Sequence, residues 1–147
     1  MDGIEDVLSY LNDKKGYTVM GQSATAIYLP DEFKLKTPLE AIGDLKHHLI
    51  VPSHAHKSVF FPESVIREAV KRKVRHRDKT YRIRVPKPED LVAMHMIHNT
   101  RYGADTAALT WEFGRELNFE EIRCMFKGRE DYESLYSALA RIFYELR

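Results

Sequence analysis

The sequence predicts an α+β fold, in which a small mixed β-sheet with flanking helices is followed by a C-terminal helical bundle. From Tyr81 to Val85, apolar and basic residues alternate with the period of a strand that buries one face. Tyr17 to Met20 is aromatic and β-branched enough to form another strand, directly before a glycine. Beyond residue 99 the apolar residues recur at helical spacing, which predicts an all-helical second half.

The composition is ordinary for a globular protein of 147 residues, which is long enough for one compact domain with its own core. Within that domain we place an α/β part at residues 1–98 and a helical part at residues 99–147. The formal charge of +1 is too small to indicate a class of ligand by itself. A local basic face is compatible with it. No apolar run approaches the ~20 residues that span a bilayer. The lone Cys124 cannot form an internal disulfide, so we expect a cytoplasmic protein with no membrane partner.

The first part of the chain reads as short helices and strands. Apolar residues at helical spacing predict a helix over residues 2–11. The strand at residues 17–20 leads through a Gly-Gln-Ser turn into a helix over residues 24–29. Residues 39–44 fit either a helical turn or a loop, and residues 45–51 read as a further strand.

The chain is organised around the strand that ends at Val85 and the helix that follows it. Pro62 opens an earlier helix, which is expected to run on into the basic residues after Val70. Two prolines stop the strand after Val85, because neither offers an N–H group to a ladder. Glu89 and Asp90 then place negative charge at the start of a helix that ends at Ile97. Three further helices are predicted over residues 105–117, 119–126 and 131–146, and Asn118 is expected to be the N-cap of the second.

Two segments carry a family resemblance. Tyr17-Thr-Val-Met-Gly-Gln-Ser-Ala-Thr-Ala-Ile-Tyr28 forms a strand, a glycine–serine turn and a helix start, and Tyr81–Ile97 reads as strand, Pro-x-Pro-Glu-Asp-Leu and helix. Arg101, Gly103 and Asp105 follow, before an Ala- and Leu-rich helix. Together these resemble the nucleotidyltransferase superfamily, above all its small stand-alone, toxin-like and uncharacterised branches. The resemblance implies a nucleotidyltransferase-like fold over residues 1–98.

In that superfamily a glycine turn at a helix N-terminus approaches the nucleotide phosphates, while carboxylates on a strand hold Mg²⁺. The resemblance therefore implies nucleotide contacts from Gly21, Gln22 and Ser23, and a catalytic metal ligand in Asp44. The pattern departs at Lys46, which stands where the second carboxylate belongs. We expect a protein that binds a nucleotide or nucleic acid with a degenerate or rebuilt catalytic centre. It would transfer a nucleoside monophosphate, with Mg²⁺, if it is active.

The densest charge in the chain lies between Arg67 and Lys87, where basic residues are opposed only by Glu68 and Asp78. Such a patch can follow a phosphate backbone, so the alternative function is a non-catalytic nucleic-acid-binding or assembly module. A solvated helix end and strand face would explain the same charges without a ligand. The residues predicted to bind nucleic acid are Lys71, Arg72, Arg75, Arg77, Arg82 and Arg84.

Two further features leave other functions open. Four histidines lie close together in sequence, and imidazole is a ligand for zinc and other transition metals. They fit either a metal-dependent hydrolase or a loop of solvated histidines, because no acid or cysteine accompanies them at ligand spacing. These are His47, His48, His54 and His56. The last helix is apolar on more than one face, which favours a homodimer formed through it.

Overall fold

The computed structural model describes residues 3–14, 16–35, 39–43, 63–97, 106, 108–110 and 112–145. These residues form a mixed α+β protein, so the predicted α+β class is confirmed. Their strands make two small antiparallel sheets of two strands each, in place of one mixed sheet. The chain divides into two compact units, Met1–Lys87 and Pro88–Arg147. This division falls ahead of residue 98, where the sequence places the end of the α/β part.

The described helices and strands follow one another closely along the chain. The strands are β1 (Tyr17–Val19), β2 (Ala41–Gly43), β3 (Val70–His76) and β4 (Lys79–Val85). The helices are α1 (Ile4–Leu11), α2 (Gly21–Tyr28), α3 (Glu63–Arg67), α4 (Pro88–Ile97), α5 (Phe119–Cys124) and α6 (Tyr132–Glu145). Thr106 and residues 108–110 and 112–113 are helical as well, inside the helix predicted over residues 105–117.

Helix α1 forms as its apolar period predicts, and its end is joined to β4. Leu8 and Leu11 are buried on its inner face. Asp13, just beyond the helix, has φ 55° and turns the chain back. The Asp13 N–H donates to the Arg82 carbonyl at 2.9 Å, and the Arg82 N–H donates to Asn12 Oδ1 at 2.7 Å. The edge of β4 that does not pair with β3 is thereby occupied by the end of α1.

Strand β2 lies in the segment that the sequence left open between a helical turn and a loop. It pairs antiparallel with β1, so that Thr18 lies opposite Ile42 and Val19 opposite Ala41. All four residues are buried. A ladder satisfies their backbone groups in the interior, which a loop would leave without partners. Both sequence-based alternatives are therefore wrong for Ala41–Gly43, because a three-residue strand carries too little periodicity to be recognised alone.

The basic residues after α3 form a strand, and the predicted continuation of the helix is wrong. Helix α3 ends at Arg67, and β3 then pairs with β4 along its full length through the turn Arg77–Asp78. Lysine and arginine are good helix formers, so the local sequence favours a helix. Pairing with β4 overrides that preference, because it satisfies the backbone and sets Val74 against the buried Tyr81.

In the second unit, α4 is buried around almost its whole circumference. Every residue from Asp90 to Met96 is buried, which is more than the apolar stripe predicted from the sequence. The Glu89 carboxylate accepts the Asn118 N–H at 3.0 Å, which ties the start of α4 to the start of α5. The Asn118 side chain accepts the Glu121 N–H at 3.2 Å, and this confirms the predicted N-cap.

Helix α6 forms within the range predicted for the last helix, with buried leucines and exposed tyrosines. Leu135 and Leu139 are buried, whereas Tyr136 and Tyr144 are exposed. The Tyr136 ring packs edge-on against Phe119 of α5, with centroids 5.9 Å apart. Across the described residues, no helix combines the length and the apolar character that crossing a membrane requires.

Candidate nucleic-acid interface

The predicted basic residues gather on the β3–β4 hairpin, where the strand register decides which face each side chain occupies. Side chains directly opposite one another in an antiparallel pair share a face. We define the outer face of the hairpin by the three pairs Lys71–Arg84, Lys73–Arg82 and Arg75–Thr80. It presents five cations and one threonine, without an acidic or aromatic side chain.

The inner face of the hairpin is apolar along β4 and holds one of the predicted cations. Tyr81, Ile83 and Val85 are buried on this face. Arg72 belongs to it as well, because it lies opposite Ile83. Its guanidinium carbon lies 4.7 Å from the centroid of the Tyr28 ring, in a cation–π contact. Arg72 is therefore separated from the outer-face cations and serves packing between β3 and α2.

Arg77 lies at the turn of the hairpin, away from both faces. It has φ 56°, a backbone conformation uncommon for a residue with a side chain. Its Nη1 lies 2.6 Å from Glu5 Oε1 of α1, and His76 Nε2 lies 3.7 Å from the same oxygen. The charge of Arg77 is thus already opposed, and the residue ties the hairpin tip to α1.

The outer-face pairs occupy the closer of the two kinds of cross-strand position. The N–H and C=O groups of Arg82 bond to residues 12–13, away from β3, so Arg82 and Lys73 form a non-hydrogen-bonded pair. The Cα atoms of such pairs are ~4.5 Å apart, against ~5.5 Å in hydrogen-bonded pairs. The two kinds alternate, so Lys71 and Arg84 are also a close pair. Like charges directly opposite one another destabilise a ladder.

At one end of the outer face, both cations already have partners. Lys71 Nζ lies 3.4 Å from Asp13 Oδ1, in an exposed ion pair. Arg84 Nη2 donates to the Ile66 carbonyl at 2.8 Å and so satisfies one of the last carbonyls of α3. These two side chains hold α1 and α3 against the hairpin, which gives them a structural role.

Further along the outer face, three cations have no such partners. Lys73, Arg75 and Arg82 are exposed, and their side chains form no ion pair or hydrogen bond with any residue that the structure describes. Lys73 lies across the ladder from Arg82 and two residues before Arg75. Their positive charges are therefore adjacent and available to a ligand.

The hairpin concentrates positive charge in a chain that is nearly neutral. Residues 70–85 contain eight Lys or Arg and one Asp, a formal charge of +7. Because the whole chain has a formal charge of +1, the other residues sum to −6. Segregation on this scale produces a local field that attracts anions and orients them before contact.

The Gly-Gln-Ser segment predicted to be a nucleotide-binding turn ahead of a helix is instead the first three residues of α2, which begins at Gly21 and ends at Tyr28. Gly21 has φ 57°, in the left-handed region that costs a side-chain-bearing residue ~1–2 kcal/mol. Gln22 is exposed and Ser23 is buried. Ser23 Oγ accepts the Glu40 N–H at 3.0 Å, so this hydroxyl joins α2 to the segment that leads into β2. The three predicted residues lie together, and Ser23 has a structural role there.

The remaining predicted site residues lie outside the described residues, so their roles stay predictions. They are Asp44, His47, His48, His54 and His56, together with Lys46 at the position of the second carboxylate. Over the ranges that the structure does describe, no group of three or more His, Cys, Asp or Glu side chains is placed to hold a metal ion.

Lys73 is the site residue that sequence reasoning missed. A helix over residues 71–75 would place Lys71 and Arg75 on one face and Lys73 away from them. In a strand the period is two, so Lys73 lies between them on the same face. The signal in the sequence was weak: Val70 and Val74 share the parity of one strand face, but Arg72 between them interrupts the alternation.

No protein-family model, curated protein or solved structure matches this chain.

Proposed function

We propose that the protein binds nucleic acid through the outer face of the β3–β4 hairpin, by contacts to the phosphate backbone. The observation that carries the proposal is the cluster of Lys73, Arg75 and Arg82, exposed and without acidic partners in the described residues. Setting Lys73 opposite Arg82 costs stability in the free protein, and a bound phosphate would replace that repulsion by attraction.

The distribution of charge supports a polyanion rather than a single small anion. Five outer-face cations lie in consecutive rows along two strands. Rows two residues apart are separated by ~6.8 Å along a strand, so one small anion cannot contact all of them. A chain of phosphates can, and the release of its counterions favours binding.

Fluorescence anisotropy with labelled nucleic acid, measured over a series of salt concentrations, tests this function. The hairpin variant is Lys73→Gln/Arg82→Gln. The matched control is Lys127→Gln/Arg141→Gln, which removes the same charge from two exposed residues of the second unit. We expect the hairpin variant to bind more weakly and to lose about 1.8 from the slope of log K against log salt. The control should keep the slope of the unsubstituted protein.

Two outcomes would contradict the proposal. One is a protein that binds no nucleic acid even at low salt. The other is equal weakening by both double variants, because this would assign binding to net charge instead of to the hairpin. Circular dichroism of each variant shows whether the fold is retained.

A second candidate function is nucleotide binding at the Gly21 turn, in a nucleotidyltransferase-like fold. The observation that favours it is the left-handed φ of 57° at Gly21, where β1 passes into α2. The first N–H groups of a helix have no intrahelical partners and are suited to phosphate oxygens. On this proposal the backbone N–H groups of Gly21, Gln22 and Ser23 contact the phosphates, and Asp44 is a ligand for Mg²⁺.

Isothermal titration with nucleoside triphosphates, with and without Mg²⁺, tests the second candidate. A heat of nucleotide binding that appears only with Mg²⁺, and that is lost in Asp44→Ala, would support nucleotide binding at this site. The absence of heat for every nucleotide, together with salt-sensitive binding of nucleic acid, would leave the hairpin module as the function. A transferase activity that survives Asp44→Ala would belong to another site.

We also propose that the C-terminal helices form a bundle and that a cytoplasmic homodimer assembles through α6. The exposed Tyr136 and Tyr144 support this, because large aromatic side chains are enriched at protein interfaces. Sedimentation velocity of the protein and of Tyr136→Ser/Tyr144→Ser tests the dimer. A dimer that is unchanged by the double substitution would place the interface elsewhere.

A further inference from the structure

Building on the proposed function, we infer that the preferred ligand is B-form duplex DNA, with the β3–β4 hairpin lying across the major groove. The inference rests on three features of the outer face: its lack of stacking groups, its length, and the order of its cations. Each of these distinguishes duplex DNA from single strands or from duplex RNA.

The outer face offers no aromatic surface on which an unpaired base could stack. Its six side chains are those of Lys71, Lys73, Arg75, Thr80, Arg82 and Arg84. The aromatic residue of the hairpin, Tyr81, is on the inner face and only 5% exposed. Proteins that bind single strands gain ~1–3 kcal/mol for each base stacked on an aromatic ring. The hairpin lacks that contribution, so it favours a ligand whose bases are already stacked in a duplex.

The exposed aromatic side chain of α1 is engaged by its neighbours. Tyr10 is 44% exposed, and its ring centroid lies 6.0 Å from that of Tyr17. Lys14 Nζ lies 4.0 Å from the centroid of the Tyr10 ring, so a cation already covers one face of it. The side-chain hydrogen bond between the two tyrosines also raises the pKa of Tyr17. The substitution Tyr10→Ala therefore tests whether an unpaired base stacks on this ring.

The length of the outer face matches the width of the B-form major groove. Residues 71 and 75 are four residues apart on β3, which corresponds to ~14 Å along a strand. The major groove of B-DNA is ~12 Å wide and admits a two-stranded β-ribbon. Arg75 at one end can therefore reach a phosphate on one side of the groove. Lys71 at the other end can reach the opposite side once a phosphate replaces Asp13 in its exposed ion pair.

The order of the cations fits this placement. Arg75 lies at one end of the outer face, and Lys71 with Arg84 lies at the other. Lys73 and Arg82 lie between them, where the base edges of the groove would be. Arginine and lysine there can donate to O6 and N7 of guanine, the commonest specific contact in the major groove. The major groove of A-form RNA is too deep and narrow for side chains to read, so duplex RNA lacks these contacts.

Competition between three ligands of one sequence tests the inference. They are a DNA duplex of about two helical turns, the RNA duplex and the single DNA strand. Anisotropy at one salt concentration should show the DNA duplex bound at least about tenfold more tightly than either of the others. The salt slope on the DNA duplex should be about −2.7, since each of the three cations without partners, Lys73, Arg75 and Arg82, neutralises DNA charge and contributes about −0.9. Dimethyl sulfate footprinting should show protection of guanine N7 in the bound duplex, and less protection with Lys73→Gln/Arg82→Gln.

The outcomes separate this inference from the proposed function on which it rests. Tighter binding of the single strand, reduced by Tyr10→Ala, would overturn the inference but keep nucleic-acid binding. Equal affinity for the RNA duplex, or unprotected guanine N7 in the bound DNA, would also overturn the inference alone. Failure to bind any of the three ligands would overturn both.

Discussion

Replacing Lys73 by Glu should stabilise the protein and weaken nucleic-acid binding at the same time. Lys73 lies directly opposite Arg82 in a close, non-hydrogen-bonded pair, and its side chain has no partner in the described residues. The substitution turns a cross-strand repulsion into an attraction while it reverses a charge on the proposed binding face. A purely structural role for Lys73 would not produce these opposite effects.

The size of each effect follows from the geometry. A favourable or unfavourable cross-strand charge pair is worth ~0.2–1 kcal/mol, so replacing one by the other should raise the free energy of unfolding by about 1 kcal/mol. For binding, the change of two charge units beside a phosphate is worth about 1 kcal/mol per unit at 4 Å in water. That corresponds to an affinity about thirtyfold weaker.

Urea denaturation and anisotropy measure the two effects on the same preparations. With a slope of about 2 kcal/mol per molar urea, the midpoint should rise by about 0.5 M, and the gain should shrink at high salt. Lys73→Gln removes the repulsion without adding an attraction. Its urea midpoint should therefore lie between those of the unsubstituted protein and of Lys73→Glu. Lys127→Glu is the matched charge reversal in the second unit, and it should leave the affinity nearly unchanged.

A lower stability of Lys73→Glu would contradict the hairpin geometry, since the register would then not bring Lys73 against Arg82. Binding that survives the charge reversal, or an equal weakening by Lys127→Glu, would contradict the proposed interface.

Three further predictions concern single residues. Gly21→Ala should lower the free energy of unfolding by ~1–2 kcal/mol in urea denaturation, because Gly21 has φ 57°; an unchanged midpoint would contradict that conformation. Asn118→Ala should lower the free energy of unfolding by ~1 kcal/mol, measured by thermal unfolding, because the α5 N-cap is lost. Asn118→Asp should keep most of that stability, because a carboxylate can also cap the helix. A hydrogen bond from Arg129 lowers the pKa of Asp131, so this group adds stability above the ordinary carboxyl pKa and loses it as the pH falls through the folded value. NMR titration should show the Asp131 pKa rising in Arg129→Gln, and an unmoved pKa would contradict the contact.

Sequence reasoning succeeded where the signal is local. The apolar period identified α1 and α6, alternation identified β4, and Asn118 was recognised as the cap of α5. These features depend on residues a few positions apart. The same reasoning failed for β3, because lysine and arginine favour a helix until a partner strand is considered. It could not choose a structure for Ala41–Gly43, whose burial depends on β1.

The amino-acid sequence by itself determined that residues 70–85 hold a formal charge of +7 in a chain of +1, and that β4 buries alternate residues. Only the tertiary structure decided which of these cations share a face. Pairing with β4 sets Lys73 against Arg82 and turns Arg72 toward Tyr28. The physical reason is that a slip of one residue moves every side chain of a strand to its other face. Register is a property of two strands together, and neither strand contains it alone.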